Sequence, residues 1–305
     1  MRDHARFEEV PRDAGHYESF YVKAASEGRA VWLRHTAFKR PGEAPVGSLW
    51  AVLYDASWER PVAWKRSFED IAAEDYVRIG PARFAPGLAE GPSWRLELTG
   101  DAPAFPYLPK EWMYRAKLPK TKALSLYPSV RASGWMELDG RRLELDGWPG
   151  MVGHNWGSEH AERWVWLQAD GLDVTFGRVR VGPVTLPWVA NGLLELDGRR
   201  VRLGGLGRRT QVDAEPGRLA FSLPGPDGVV VDGVVDAPRE RTVGWRYSDP
   251  GGGEHQVLNS SIADLRAVVR SGGGERELTA LGTCAYELGV RDAGGFVALE
   301  PFPDP

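Results

Sequence analysis

Gly134-Trp135-Met136-Glu137-Leu138-Asp139-Gly140-Arg141-Arg142 decides the fold class of this chain. A short apolar-rich run meets an Asp-Gly pair and is followed at once by a second run. Asp-Gly between such runs is the strongest short hairpin signal, because a type I′ turn needs positive φ at both central residues. The pattern returns at Gly192-Leu193-Leu194-Glu195-Leu196-Asp197-Gly198-Arg199-Arg200, and further Asp-Gly pairs stand at 146, 170, 227 and 232. Six such pairs between Asp139 and Gly233 predict antiparallel, locally connected strands. A parallel sheet would need long crossovers instead. The echo is read as two hairpins of one kind; two copies do not make a solenoid.

Outward from this region the chain keeps the same character. Tyr17 to Val22, Ala30 to Phe38, Ser48 to Tyr54 and Pro61 to Phe68 are aromatic or β-branched runs separated by turn residues. Ser93 to Leu98 alternates with period two, as a half-exposed strand does. Trp164 to Ala169 and Leu278 to Val290 continue the series. Phe68 to Asp75 reads as a short helical connector, and Ser261 to Arg270 suits either a strand or one helical face. Many short strands at regular spacing point to barrels, which remove exposed sheet edges. The expectation is an all-β protein of two consecutive antiparallel β-barrels, residues 1–160 and 161–305, dividing near His160.

Bulk properties narrow the function. A hydrophobic share of 42% and a charged share of 26% describe a globular chain. A net charge of -4 gives no reason to expect nucleic acid or an anionic membrane as partner. The single cysteine, Cys284, excludes an internal disulfide and a multi-cysteine zinc site, and suits a reducing compartment. No apolar run reaches the ~20 residues of a membrane span, and Met1 to Pro11 has no signal-peptide core. A cytoplasmic location is expected, and the oligomeric state stays open.

The polar chemistry concentrates at Gly153-His154-Asn155-Trp156-Gly157, followed by Glu159-His160 and Trp164-Val165-Trp166-Leu167-Gln168. Apolar rings beside a few orienting polar groups is the composition of a pocket wall. His154 and His160, with Glu159 between them, match no metal-ligand pattern, so no metal and no cofactor is expected. No nucleophile elbow is present, and Cys284 lies in a strand-like run. Acid chemistry on an apolar substrate remains. Protonating an alkene makes a cation that aromatic faces attract by about 0.5–2 kcal/mol each. Glu18 or Glu159 is the candidate acid, kept protonated by burial, with His154 donating or orienting. Tyr17, Asn155, Trp156, Trp164, Trp166 and Gln168 are the candidate ligand contacts. Trp164 and Trp166, two apart on a strand, share one face.

His154-Asn155-Trp156-Gly157 with Trp164-Val165-Trp166-Leu167-Gln168 resembles the central motif of the tocopherol-cyclase and carotenoid-hydratase group. Tyr17-Glu18-Ser19-Phe20-Tyr21-Val22-Lys23 is similar to the early Glu-x-aromatic-aromatic stretch of the cyclases. The resemblance implies two lipocalin-like barrels and a bulky apolar ligand, an isoprenoid, polyketide or lipid, near their junction. It implies cyclisation, isomerisation or hydration without a cofactor; a non-catalytic carrier and an interaction module stand as the alternatives. The hydratases carry an Asp before His-Asn-Trp. Here that position is Gly153, so the resemblance leaves the acid unassigned.

Overall fold

The computed structural model describes residues 4–181, 184–205 and 207–302. Among them there is no α-helix, only three short 3-10 turns, and no helix long and apolar enough to cross a membrane. The strands form two large antiparallel sheets, each curled into a lipocalin-like barrel.

The first sheet runs from Val62–Phe68 through Val46–Asp55, Arg29–Lys39 and His16–Ser26 to the long strands Arg141–Gly157 and Thr121–Leu138. It continues through Trp94–Thr99 and short strands to Ile71–Ala72. Its ends approach each other: Ile79 packs on Gly47 and the Phe68 ring on Gly80. The second sheet repeats the plan. Arg199–Gly204, Val189–Leu196, Leu172–Arg178 and Arg163–Ala169 lead to the long pair Gly274–Val290 and Glu254–Ser271, and then to Val230–Asp236, Arg218–Pro224 and Gln211–Glu215. In each sheet the first strand pairs with the last: Tyr17 faces Gly157, and Trp164 faces Gly289.

Long strands must bend to close a barrel, and bulges bend them. Register shifts interrupt the Thr121–Leu138 and Arg141–Gly157 pair near Ser125, Tyr127 and Ala132, and the Glu254–Ser271 and Gly274–Val290 pair between Ser260 and Leu265. Gly134 sits at the first set with φ +124, where a Cβ would lie 2.0 Å from the Arg95 carbonyl oxygen.

The Asp-Gly pairs divide by position. Asp139-Gly140, Asp197-Gly198 and Asp227-Gly228 have positive φ at both residues, as a type I′ turn requires. At Asp170-Gly171 only the glycine does. The other two are not hairpin tips: Asp146-Gly147 and Asp232-Gly233 lie inside strands. There Gly233 leaves room for the Phe221 ring, which a Cβ would meet at 2.6 Å. The expected helix over Phe68 to Asp75 is absent; Val62–Phe68 and Ile71–Ala72 are strands instead, and the segment is too short to nucleate a helix. Ser261 to Arg270 belongs to the strand Glu254–Ser271.

Each barrel has its own apolar interior, the first around Phe20, Phe84 and Trp94, the second around Phe176, Leu219 and Tyr286. A third buried cluster joins the barrels. Trp32, Trp50 and Tyr54 of the first meet Val243, Trp245 and Tyr247 of the second. The Trp50 and Trp245 rings are 5.1 Å apart, and Trp32 and Trp245 are 6.2 Å apart. The barrels therefore pack through their outer sheet faces along an aromatic seam.

Candidate functional site at the seam

Period-two alternation sorts the candidate residues into two places. On His16–Ser26, Phe20 and Val22 point into the first barrel, while Tyr21 points into the seam against Met151, Trp166 and Ala285. Trp156 belongs to the barrel interior as well. On Arg163–Ala169, Val165 and Leu167 fill the second barrel, and Trp166 faces the seam. The expectation that Trp156 lines one cavity with Trp164 and Trp166 is therefore corrected. Its ring tilts against His154 at 4.6 Å and carries the Arg6 guanidinium at 3.9 Å.

Glu18 and His154 do meet, but inside the first barrel. Glu18 Oε1 lies 2.8 Å from His154 Nε2, both side chains being buried. Glu18 Oε2 accepts the backbone N–H of Arg6 at 2.7 Å and of Phe7 at 3.0 Å. The His154 ring stacks on Phe20 at 4.0 Å. Burial alone would raise the Glu18 carboxyl; hydrogen bonds from His154 and His16, and their charge, outweigh it and hold the group well below the ordinary carboxylate range. The expected protonated acid is thus an ionised anchor for the N-terminal segment. Glu159 is corrected too: it is half-exposed and ion-paired with Lys120, outside any apolar pocket.

The seam assembles a different set. Asp173, on Leu172–Arg178, is paired in register with Gln168, so their side chains share the seam face. Asp173 Oδ1 accepts the Tyr107 hydroxyl at 2.6 Å and the Trp166 indole N–H at 3.1 Å. Its Oδ2 is buried and makes no hydrogen bond of regular geometry among the described residues, but the Ser125 hydroxyl lies close enough to act on the carboxyl; Asn155 Oδ1 is buried and unpaired. Burial pushes the Asp173 carboxyl up, against the hydrogen bonds from Tyr107, Ser125 and Trp166 and the charge of Lys23. Lys23 donates to Gln168 Oε1 at 3.0 Å and to the Thr283 carbonyl at 2.5 Å, and burial brings its ammonium down to about 8. A cavity of about 240 Å³ opens beside Lys23 and Gln168, lined also by Gly150, Asp170, Thr279 and Thr283; Asp173, Trp166 and Tyr21 are not on its wall.

Trp164 is half-buried. It lies flat over Gly289, where a Cβ would come within 2.2 Å of the indole, and donates to Glu287 Oε1 at 3.0 Å. His160 stacks between it and Tyr17, with centroids 5.3 and 4.1 Å away. Tyr17 hydrogen-bonds Thr121 at 2.9 Å. Gly153 also has a steric cause: the Tyr21 ring fills its side-chain space, and a Cβ would sit 2.2 Å from Tyr21 Cζ. Tyr21 in turn meets the Trp166 ring edge-on at 5.4 Å. Asp173 and Lys23 are the residues sequence reasoning missed. Asp173 hides in the turn-rich run Asp170-Gly171-Leu172-Asp173; Lys23 ends the early aromatic stretch, where the sequence offers it only as a surface partner for Glu18.

No family profile matches this chain. It is 28% identical over 272 residues to the uncharacterized protein Rv0493c of Mycobacterium tuberculosis strain H37Rv, and equally to the uncharacterized protein MT0513 of strain CDC 1551; the match covers 86% of this chain and 78% of each relative. Among solved structures, a protein described as an AttH from Nitrosomonas europaea superposes over 92% of this chain and 94% of its own, at 13% identity and a TM-score of 0.50. The two share their fold. Kievitone hydratase from Nectria haematococca aligns over 93% of this chain and 91% of its own, at 10% identity and a TM-score of 0.46.

Proposed function

We propose that this protein binds an apolar small molecule, an isoprenoid, polyketide or lipid, at the seam between its barrels, and that Asp173 is the proton donor presented to it. The observation that carries the reading is the Asp173 carboxyl. It is buried among rings, which shifts its titration above that of an ordinary aspartate, and Tyr107 and Trp166 both donate to Oδ1, leaving Oδ2 with only the Ser125 hydroxyl nearby. Oδ2 is the oxygen left to carry a proton. The resemblance of His154-Asn155-Trp156-Gly157 to cyclases and hydratases supports the same chemistry, with the acid moved. Where the hydratases carry Asp, Gly153 is covered by Tyr21, Tyr21 touches Trp166, and Trp166 holds Asp173.

In this reading the Asp173 O–H gives its proton to an alkene carbon of the ligand. The carboxylate remains, and the cation faces the Trp166 and Tyr21 rings, each attracting it by about 0.5–2 kcal/mol. Return of a proton from the cation to the Asp173 carboxylate completes a cyclisation or isomerisation; addition of water, with return of a proton from the resulting oxonium ion to that carboxylate, completes a hydration. Lys23 offers a donor to an oxygen at one end of the ligand. The cavity of about 240 Å³ beside Lys23 and Gln168 is smaller than the roughly 300–1,000 Å³ of a drug-sized site and is not lined by Asp173, Trp166 or Tyr21, so in this reading it takes one end of an elongated molecule and the packed rings part to admit the rest.

Titration with isoprenoid alcohols and long-chain fatty acids, followed by tryptophan emission, tests the reading. Saturable quenching is expected, with most of the signal lost in Trp166→Phe. Asp173→Asn is expected to keep ligand affinity and to abolish turnover of any ligand that the wild type transforms. Absence of saturable quenching by every member of the panel rejects the seam as a binding site.

A further inference from the structure

The sequence weighs His154 and His160 as a metal pair, and the fold separates them. His154 lies inside the first barrel, while His160 meets a residue 89 positions further along the chain. Asp249 Oδ1 lies 2.8 Å from His160 Nδ1 and accepts the His160 backbone N–H at 2.7 Å. Asp249 Oδ2 lies 3.8 Å from Nδ1 of His255. One ligating atom from each of the three residues falls within 4.8 Å of the other two.

His255 supplies the second, independent observation. It is fully buried, and among the described residues no partner reaches either ring nitrogen with regular hydrogen-bond geometry; the Ala161 backbone can serve one nitrogen at most and leaves the other unpaired. The 3.8 Å approach to Asp249 is too long to count as one. Buried polar groups are rarely left unsatisfied, because each orphan costs about 1–3 kcal/mol. An imidazole lone pair facing a carboxylate oxygen has nothing to share with it except a proton or a cation. We propose that His160, Asp249 and His255 form a binding site for a divalent first-row transition cation of the zinc type, a two-imidazole, one-carboxylate set.

The spacing is close. Ligand atoms about 2.0–2.1 Å from a tetrahedral centre stand about 3.3 Å from one another. The Asp249 contacts, 2.8 Å from Oδ1 and 3.8 Å from Oδ2, bracket that value through different oxygens, and the three ligating atoms lie within 4.8 Å of one another, so closing the site needs the carboxylate to turn and the set to contract by up to about 1.5 Å. The scaffold permits it. Asp249 opens the turn Asp249-Pro250-Gly251-Gly252-Gly253, and its N–H donates to the Gly253 carbonyl at 3.0 Å. The rings of Tyr17 and Trp164 hold the His160 plane. One cation opposes the site: Arg291 Nη1 lies 3.9 Å from Asp249 Oδ2. Its side chain is partly exposed and also reaches Glu162, at 3.5 Å, so it has another carboxylate to turn to.

The test uses the tag-free full-length chain after chelator treatment. Titration with Co²⁺ is expected to bind one equivalent, to produce a visible d–d absorption band, and to raise Tm; added Zn²⁺ is expected to bleach the band. His255→Gln and Asp249→Asn are expected to weaken Co²⁺ binding by at least about 100-fold, whereas the surface control His4→Gln leaves it unchanged. Circular dichroism shows whether each variant is folded. Should a variant not fold, the wild-type stoichiometry and band decide alone. Failure of the wild type to bind a stoichiometric equivalent of Co²⁺ or Zn²⁺, or equal binding by folded His255→Gln, overturns the proposal.

Discussion

Glu18 shows how a buried carboxylate can look catalytic in a sequence and act as an anchor in a fold. It accepts two backbone N–H groups and the His154 ring, tying Arg6 and Phe7 to the barrel. Glu18→Gln exchanges a charged acceptor for a neutral one beside His154 and removes a buried charge pairing. It is expected to lower stability by about 3 kcal/mol at neutral pH, read from urea midpoints. The pH dependence has a definite sign. The folded-state pKa lies below the unfolded value, so the unfolded chain binds the proton first as pH falls. The contribution is complete above the ordinary carboxylate range and fades as pH drops through and below it. The gap between wild type and Glu18→Gln should narrow steadily on acidification. A gap that widens would assign the burial of Glu18 the opposite electrostatics. Cys284, by contrast, behaves as its strand-like surroundings suggested: it is buried and its thiol is pushed up to about 12.

The long paired strands are the elements on which the barrels turn, and their bends are made by bulges rather than by sequence-visible breaks. Gly134 is the clearest case, with positive φ and the Arg95 carbonyl where a Cβ would go. Gly134→Ala is expected to cost on the order of 2–4 kcal/mol. Thermal unfolding checks it, and a change within 0.5 kcal/mol (about the scatter of surface substitutions) would show that the bulge relaxes freely. Asp-Gly pairs marked three type I′ tips in the sequence and misplaced two others. The misplaced pairs could not be told apart locally. Whether a glycine serves a turn or makes room for a ring such as Phe221 depends on a neighbouring strand.

At the scale of the whole molecule, the all-β class and the paired barrels were legible in turn spacing and strand period. The site was legible only in part. Alternation alone puts His154 and Trp156 on one face and Asn155 on the other. Because both faces of the flanking strands are apolar, nothing in the sequence says which one looks into a barrel. Asp173 meets Tyr107, and His160 meets Asp249, only through packing between segments far apart in the chain. That seam buries Trp32, Trp50 and Trp245 together, more like a core than like a contact between free domains. One cooperative transition is therefore expected, with far-ultraviolet and near-ultraviolet signals coincident in urea. Trp245→Ala should move both by about 3–5 kcal/mol. Two resolved steps in the wild type would mean that the barrels are thermodynamically independent.

Pairing of first strand with last has a consequence for biosynthesis. The leading half possesses every strand of its own sheet once Gly157 clears the ribosome, and can fold while translation proceeds. Its indole-bearing flank, Trp32 and Trp50, then waits in water for Trp245 to be made. During that interval the nascent chain displays a sticky aromatic surface, and a chaperone is what would shield it.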